Sequence, residues 1–123
     1  MKYFLDSVVI IDVLNGVAPA KAFIKAHAKD CALGAVTIAE ALVGTEDDDR
    51  DAVIAFLSQF KFLPMDPEDA ILAASLRRKY RWKLPDTFQA ALSLKHGLKL
   101  ATRNTKDFDP TKLDFVHVPY RWS

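Results

Sequence analysis

The chain has 123 residues, a formal net charge of +1 at pH 7, 50% hydrophobic residues, 27% charged residues and only four glycines. A chain of this size suits one domain with a real hydrophobic core, and this composition excludes a disordered or fibrous protein. A near-neutral total charge gives no general attraction to polyanions, so any contact with a nucleic acid must use a local basic patch.

Short apolar runs alternate with amphipathic helical patterns in the first half of the chain. We predict, in order, a strand at 3–5, a helix at 8–14, a helix from 19 to 30, a strand at 31–36, a helix from 37 to 44 and a helix from 47 to 60. In the second helix, Ala22, Phe23 and Ala26 form the expected apolar face. The third helix opens with Thr37 and Glu40 in the spacing of a capping box.

The second half of the chain continues the same alternation. We predict a strand at 61–64, a helix from Pro67 with its apolar residues at 70, 71, 74 and 76, a basic segment at 77–83, a helix from Pro85 to His96, a strand at 98–101, a polar loop at 102–110 and a strand at 115–118. Parallel strands joined by helices form right-handed crossovers. The sequence therefore predicts one α/β domain over residues 1–123, with a parallel sheet that helices cover on both faces.

The single cysteine, Cys31, excludes an intramolecular disulfide and lies in an apolar stretch, which is typical of a buried thiol in a reducing compartment. The chain shows neither a basic-then-apolar signal segment nor an apolar run of about 18 residues, the length that suggests a membrane span. We therefore expect a soluble cytoplasmic protein that does not contact a membrane.

Four acidic residues fall where such a sheet gathers side chains at one edge, beyond the carboxyl ends of its strands. Asp6 follows the strand at 3–5, and Glu40 lies in the helix after the strand at 31–36. Asp86 is near the start of the helix from Pro85, and Asp107 is in the loop after the strand at 98–101. Clustered carboxylates repel one another and usually hold a cation, and oxygen ligands favour Mg²⁺ or Mn²⁺ over zinc. Each acid alone also suits a helix cap or a turn, so the metal site depends on their joint placement.

Four segments together resemble the acidic motifs of PIN domains, namely Phe4–Ser7, Thr37–Gly44, Leu84–Ala91 and Ala101–Phe108. Within that family the chain is most similar to the VapC-type toxins of toxin-antitoxin pairs, over nearly its whole length. The resemblance implies a PIN-like three-layer fold with a five-stranded parallel sheet and a divalent-metal site formed by the four acids. It also implies endonucleolytic cleavage of RNA to 5′-phosphate and 3′-hydroxyl ends, a homodimer and a VapB-like antitoxin. The number of metal ions and the RNA that is cut stay open.

Two further groups of residues are candidates for supporting roles. Ser7, Thr102 and Asn104 are able to orient a carboxylate, a metal-bound water or a phosphate oxygen, or to act only in caps and turns. Five cations interleaved with Tyr80 and Trp82 are candidates for RNA binding, and these are Arg77, Arg78, Lys79, Arg81 and Lys83. The alternative for this segment is a basic helix end whose aromatic residues pack inward.

Other functions remain open at this point. A phosphoacceptor signalling domain shares the length, the parallel sheet and a Mg²⁺ pocket, and Asp66 could supply its acceptor. That class also needs a pair of acids after the first strand and a lysine after the last, whereas Asp6 is a single acid and no such lysine is obvious. The remaining alternatives are a non-catalytic binding module and a housekeeping RNA-processing PIN protein. Apolar surface on the helices at 8–14 and 53–60 predicts either a groove for an amphipathic partner helix or ordinary core and dimer contacts.

Overall fold

The computed structural model describes residues 1–122, in which a five-stranded sheet lies between two layers of helices. The strands are β1 (Tyr3–Leu5), β2 (Cys31–Leu33), β3 (Lys61–Phe62), β4 (Lys99–Ala101) and β5 (Val116–His117). Their order across the sheet is β3-β2-β1-β4-β5, and every neighbouring pair is parallel. The predicted α/β fold class is therefore confirmed, with β1 as the central strand.

The described residues also form six α-helices, which connect the strands. They are α1 (Ser7–Leu14), α2 (Ala18–His27), α3 (Ala35–Val43), α4 (Arg50–Leu57), α5 (Pro67–Tyr80) and α6 (Leu84–His96). Local chemistry accounts for several of their ends. Asp66 and Asp69 exchange side-chain to backbone hydrogen bonds in a capping box at the start of α5. Gly97 ends α6 at a φ of 65°, a conformation that strains a residue with a Cβ.

The strands β1 and β2 are buried at every residue because both faces of the sheet are covered there, whereas the edge strand β3 is exposed. Successive side chains of a strand point to opposite faces. Phe4 and Leu100 therefore pack in one cluster with residues of α5 and α6. Leu5 and Leu33 pack in a second cluster with residues of α1, α2, α3 and α4. This is the three-layer arrangement that the resemblance implies.

The boundary between β2 and α3 differs from the prediction. The strand predicted at 31–36 stops at Leu33, because Gly34 takes the N-cap position and the helix begins at Ala35. Thr37 is therefore inside the helix, and the predicted capping box does not form. In α2 the predicted apolar face is right only at Phe23, which is buried with Ala20 and Ile24, whereas Ala22 and Ala26 are exposed.

An ion pair between the buried Asp12 and the partly exposed Arg103 ties α1 to the loop after β4, and Tyr120 of the C-terminal segment joins it. Arg103 Nε donates to Asp12 Oδ2 at 2.5 Å, and the Tyr120 hydroxyl donates to the same oxygen at 2.7 Å. Burial alone would raise the pKa of Asp12, but the hydrogen bonds from Arg103 and Tyr120 outweigh it and hold this pKa below its usual value. The charged carboxylate is therefore favoured in the fold, and it fixes the loop that leads to Asp107.

No single helix among residues 1–122 is both long and apolar enough to cross a membrane. The bent pair Ser7–Leu14 and Ala18–Asp30, with 114° between its parts, meets the length and composition criteria only when the two parts are taken together. In the fold, Val9, Ile10 and Phe23 from this pair are buried in the core beside the sheet.

Gly34 provides a test of the packing between the sheet and the helices. A Cβ at this position would lie 3.1 Å from Phe4 Cζ and 3.2 Å from Leu92 Cδ1. Because overpacking forces such neighbours to shift, we expect Gly34→Ala to lower the free energy of unfolding by about 1–3 kcal/mol in urea denaturation. Gly44→Ala is the matched control, since its Cβ would lie 3.9 Å from the Ala41 carbonyl oxygen, and its stability should be unchanged or slightly raised. Equal losses in both variants would contradict this packing.

Candidate active site

The predicted acids gather at the edge of the sheet that the carboxyl ends of its strands form. Asp6 directly follows β1, Glu40 lies on α3 after β2, Asp86 is in the first turn of α6, and Asp107 is in the loop after β4. Asp6, Glu40 and Asp86 line a cleft of about 480 Å³. The Asp107 carboxylate is close enough to Asp86 for its negative charge to raise the pKa of Asp86. The fold therefore brings all four acids to one region.

Asp6 is the buried acid of the site, with only 5% of its surface exposed. Its Oδ1 accepts hydrogen bonds from the Ser7 backbone N–H at 2.9 Å and from Gln89 Nε2 at 3.4 Å. Its Oδ2 accepts one from the Thr102 hydroxyl at 2.7 Å. Burial raises the pKa of Asp6, the three hydrogen bonds lower it in part, and the negative charge of Glu40 raises it further. The carboxylate is held firmly in place.

Ser7 links the exposed Glu40 to the buried acid. The Ser7 hydroxyl donates to Glu40 Oε1 at 2.6 Å, while the backbone N–H of the same residue binds Asp6. The Thr37 hydroxyl, one turn before Glu40 on α3, donates to the Leu5 carbonyl at 3.0 Å. This bond joins α3 to the end of the central strand. Glu40 is therefore positioned by both its own helix and the residue after Asp6.

The Asp107 loop is held from two sides. Asn104 Nδ2 donates to Asp107 Oδ2 at 3.1 Å, and the Asn104 backbone N–H donates to the Thr102 hydroxyl at 3.0 Å. From the connection between α5 and α6, the buried Trp82 donates its indole N–H to the Asp107 carbonyl at 2.9 Å. Asp107 is itself exposed but lies on a loop with a defined backbone.

Sequence reasoning missed Gln89, a buried residue at the centre of this network. Its Nε2 donates to the Thr37 hydroxyl at 2.8 Å and contacts Asp6 Oδ1 and the Ser7 hydroxyl at 3.4 Å each. A signal was present, because Gln89 follows Asp86 by three residues and therefore shares its side of α6. Gln89 therefore joins α6 to α3 through Thr37 and to the start of α1 through Asp6 and Ser7.

Asp86 experiences the combined negative charge of the site. Burial raises its pKa to about 6, and the negative charges of Asp6, Asp107 and Glu40 contribute to this rise in that order. The positive charge of Lys83, at the start of α6, acts in the opposite direction and lowers this pKa. Either a proton or a cation would relieve the repulsion around Asp86.

The donor set at this edge fits a hard divalent cation, since it consists of carboxylate oxygens held by hydroxyl and amide donors. Within residues 1–122, no group of three His, Cys, Asp or Glu side chains is close enough to enclose an ion as the side chains stand. Binding would therefore require side-chain movement. The exposure of Glu40 and Asp107 leaves room for it.

The basic segment 77–83 has two parts with different surroundings. Arg77, Arg78 and Arg81 line a pocket of about 470 Å³. Trp82 is only 6% exposed, and Tyr80 stacks on its ring with 4.3 Å between centroids. The indole therefore packs inward, as in the alternative for this segment, while the three arginines face an open pocket.

The remaining cations of the region lie at the cleft or beside aromatic rings. Lys79 Nζ lies 5.1 Å from the centroid of the Tyr80 ring. Lys83 is near Asp86, and Lys106 and Arg103 line the acidic cleft itself. Arg103 is paired with Asp12, so Lys83 and Lys106 are the cations that bring uncompensated positive charge to the acids.

A family model described as PIN domain matches residues 3–112 of the chain. A search of curated proteins with this chain found no match. In a toxin-antitoxin complex from Klebsiella pneumoniae, one chain aligns with a TM-score of 0.90 and 30% identity, over 98% of this chain and 100% of that one. This likeness extends over the whole of the described fold.

Two further solved structures are similar. A chain of FitAcB from Neisseria gonorrhoeae aligns with a TM-score of 0.77 and 25% identity, over 95% of this chain and 97% of that one. A chain of DNA-bound VapBC from Salmonella typhimurium aligns with a TM-score of 0.75 and 21% identity, over 89% of this chain and 91% of that one, and supports the fold alone. Because the family model covers residues 3–112, which include four of the five strands and all four acidic motifs, the chain belongs to the PIN domain family.

Proposed function

We propose that the chain is a divalent-metal-dependent endoribonuclease that acts in the cytoplasm as the toxin of a type II toxin-antitoxin pair. The observation that carries this proposal is the convergence of four acids at one edge of the sheet, where hydrogen bonds orient three of them. Membership of the PIN family supports nuclease chemistry. The 30% identity to a chain from a toxin-antitoxin complex supports a toxin of the VapC type.

Four carboxylates would hold Mg²⁺ or Mn²⁺ in this proposal, and these are Asp6, Glu40, Asp86 and Asp107. A bound divalent cation supplies an activated water and neutralises the charge that grows on the cleaved phosphate. Asp6 provides the fixed point of the site, because three hydrogen bonds restrain its carboxylate. Glu40 and Asp107 are exposed and are therefore able to adjust to the ion and the substrate.

Three polar residues would position these acids. Ser7 donates to Glu40, Thr102 donates to Asp6, and Asn104 donates to Asp107. Each of these hydrogen bonds limits the rotation of the carboxylate that accepts it. Loss of one donor should therefore weaken metal binding without removing a ligand.

The RNA would reach the acids along the basic segment 77–83. The pocket lined by Arg77, Arg78 and Arg81 offers positive charge to backbone phosphates. Lys79 lies beside it, and Lys83 continues the positive charge to the edge of the acidic cleft. Because Trp82 is buried and binds the Asp107 loop, the proposed role of this segment is phosphate binding and not stacking of a base on Trp82.

A VapB-like antitoxin would bind the groove between α1, α3 and α4. This groove has a volume of about 690 Å³, and its apolar lining includes Ile11, Leu14, Val53 and Phe56. Glu40 also lines the groove, so a helix bound there would end close to the acids. From that position it could present a carboxylate to the metal or an arginine to the free acids. The proposal also includes a homodimer, as the resemblance implies.

A phosphoacceptor domain is disfavoured by the surroundings of Asp66. Its carboxylate accepts the Asp69 backbone N–H in the capping box and pairs with Lys95 Nζ at 2.8 Å. A residue with these structural partners at a helix start is poorly suited to receive a phosphoryl group. The RNA cleavage assay described next distinguishes a nuclease from a non-catalytic binding module.

Cleavage of single-stranded RNA tests the nuclease directly. With Mg²⁺ or Mn²⁺, the wild-type chain should cut RNA and EDTA should stop it, while Asp6→Asn, Glu40→Gln and Asp86→Asn should each lower the rate by at least about 100-fold. Asp66→Asn is the matched control, because it removes a carboxylate charge away from the cleft while asparagine is still able to cap the helix. It should leave the rate unchanged and lower the melting temperature only slightly, through the lost pair with Lys95. Active cleft variants, or a wild-type chain that cuts no RNA, would refute the proposal.

The raised pKa of Asp86 predicts how stability changes with pH when no metal is present. This pKa moves from 3.8 to about 6 on folding, so between these values the folded chain holds a proton that the unfolded chain has lost. Stability should therefore fall as the pH rises through this window, and Asp86→Asn should remove that part of the fall. Protons compete with metal at the same carboxylates, so Mn²⁺ should raise the melting temperature more at about pH 7.5 than at about pH 5. An identical pH slope in wild type and Asp86→Asn would contradict this.

Expression in bacteria tests the toxin and its partner. Production of the chain alone should arrest growth, because uncontrolled RNA cleavage stops protein synthesis. Asp6→Asn should abolish the arrest, and so should co-expression of a small protein encoded beside the gene for this chain. Purification of the two products as one complex would identify the antitoxin. If the wild-type chain is harmless when produced alone yet cuts RNA in vitro, a housekeeping RNA-processing role replaces the toxin.

A further inference from the structure

A second pocket adjoins the acidic cleft on the far side of Arg103. Its volume is about 590 Å³, and its lining consists of Arg103, Thr105, Val118, Tyr120, Arg121 and Trp122. Arg103 and Thr105 also line the acidic cleft, so the two hollows share a wall. A ligand that enters one can therefore extend into the other.

Trp122 is the large aromatic residue of this second pocket, and 52% of its surface is exposed. The Arg103 guanidinium lies over its ring, with 5.0 Å between Cζ and the ring centroid. Arg103 is in turn fixed by its ion pair with Asp12. The indole is therefore held beside the cleft by a cation-π contact, and about half of it stays open to solvent.

The hydrogen bond that anchors the C-terminal segment does not involve the side chain of Trp122. Tyr120 makes the hydrogen bond to Asp12 that anchors the C-terminal segment. In contrast, Trp122 makes no side-chain hydrogen bond within the described residues. An exposed indole next to cationic residues is the arrangement that single-strand-binding surfaces use, because aromatic faces stack on bases and cations bind the backbone.

The charges around the cleft favour the same ligand. Four carboxylates repel the phosphates on either side of a cleavage site, so the backbone needs positive charge just outside the cleft. Arg103 is already paired with Asp12, whereas Lys106 lines the cleft and Arg121 lines the second pocket. These two cations are exposed and lie on the side of the cleft where Trp122 is found.

We propose that Trp122 stacks on an unpaired base of single-stranded RNA next to the acidic cleft, while Arg121 and Lys106 bind the neighbouring phosphates. This inference rests on the proposed ribonuclease function and adds a base-binding position to it, because the half-exposed indole offers an open ring face to an unpaired base. Base stacking on Trp122 would fix the register of the RNA, and thereby the phosphate that faces the acids.

Binding of a short single-stranded RNA measures the contribution of the indole. In the inactive Asp6→Asn background, Trp122→Ala should raise the dissociation constant roughly 5- to 100-fold, the range of one base stacked on an aromatic ring. Trp122→Phe should restore most of the affinity. Phe62→Ala is the matched control, since Phe62 is 48% exposed on β3 at the opposite edge of the sheet, and it should bind as the parent does. An unchanged constant in Trp122→Ala would overturn the inference.

Substrates that lack one base locate the stacking position. RNA oligomers with a single abasic nucleotide should bind the Asp6→Asn parent more weakly than the intact oligomer when the missing base is at one particular position. In the Trp122→Ala variant, the oligomer that lacks this base should bind as well as the intact one. In the active chain, Trp122→Ala should raise KM with little change in kcat, and its Mn²⁺ affinity should equal that of wild type. An abasic effect that persists in Trp122→Ala would overturn stacking on this residue.

These measurements also separate this inference from the function on which it rests. If the wild-type chain cuts single-stranded RNA and Trp122→Ala cuts it with the same KM, only the inference fails. If the wild-type chain neither binds nor cuts RNA, the ribonuclease itself fails. If Trp122→Ala weakens the binding of duplex RNA as much as that of single-stranded RNA, stacking on an unpaired base is overturned. If Trp122→Ala weakens only the binding of a protein partner, the surface is a protein interface instead.

Discussion

The buried carboxylate of Asp6 lies at the carboxyl end of the central strand, where hydrogen bonds join it to three separate parts of the chain. Ser7 connects it to α1, Thr102 to the loop after β4, and Gln89 to α6. A buried charge is costly unless its oxygens are hydrogen-bonded, so these three parts must meet at this point. The same network continues through Ser7 to Glu40, and the geometry of the site therefore depends on it.

The carboxylates of the site repel one another, and contacts in other parts of the fold must offset this repulsion. Burial and, after it, the negative charges of Asp6, Asp107 and Glu40 raise the pKa of Asp86, so its charged form destabilises the metal-free protein at neutral pH. Contacts just outside the cleft act in the opposite direction. Asp12 is paired with Arg103, and Trp82 binds the Asp107 carbonyl from a buried position. These contacts hold the loop after β4 in place although its acid is repelled by the others.

Local charge, and not the total, suits this chain to a polyanion. A net charge of +1 hides a surface on which an acidic cleft is bordered by cations. Lys83 and Lys106 lie at the cleft, and the second pocket, with Arg121, adjoins it through Arg103 and Thr105. A nuclease that uses metal needs both, because carboxylates must hold the cation while basic residues hold the strand. The proposed RNA path and the proposed stacking site are two parts of this one arrangement.

The sequence by itself determined the order of strands and helices and the position of each acid after a strand or at a helix start, because periodicity and capping are local. It did not determine which side of α5 is buried. Of the predicted positions 70, 71, 74 and 76, only Leu76 packs inward, whereas Ile71 is 69% exposed and the buried Ala73 was not in the predicted set. This helix carries apolar residues on more than one side, and only its packing against α6 selects between them. Gln89 likewise meets Thr37 across 52 residues of sequence, a contact that only the tertiary structure creates, since a buried polar side chain must find whatever partners the surrounding elements supply.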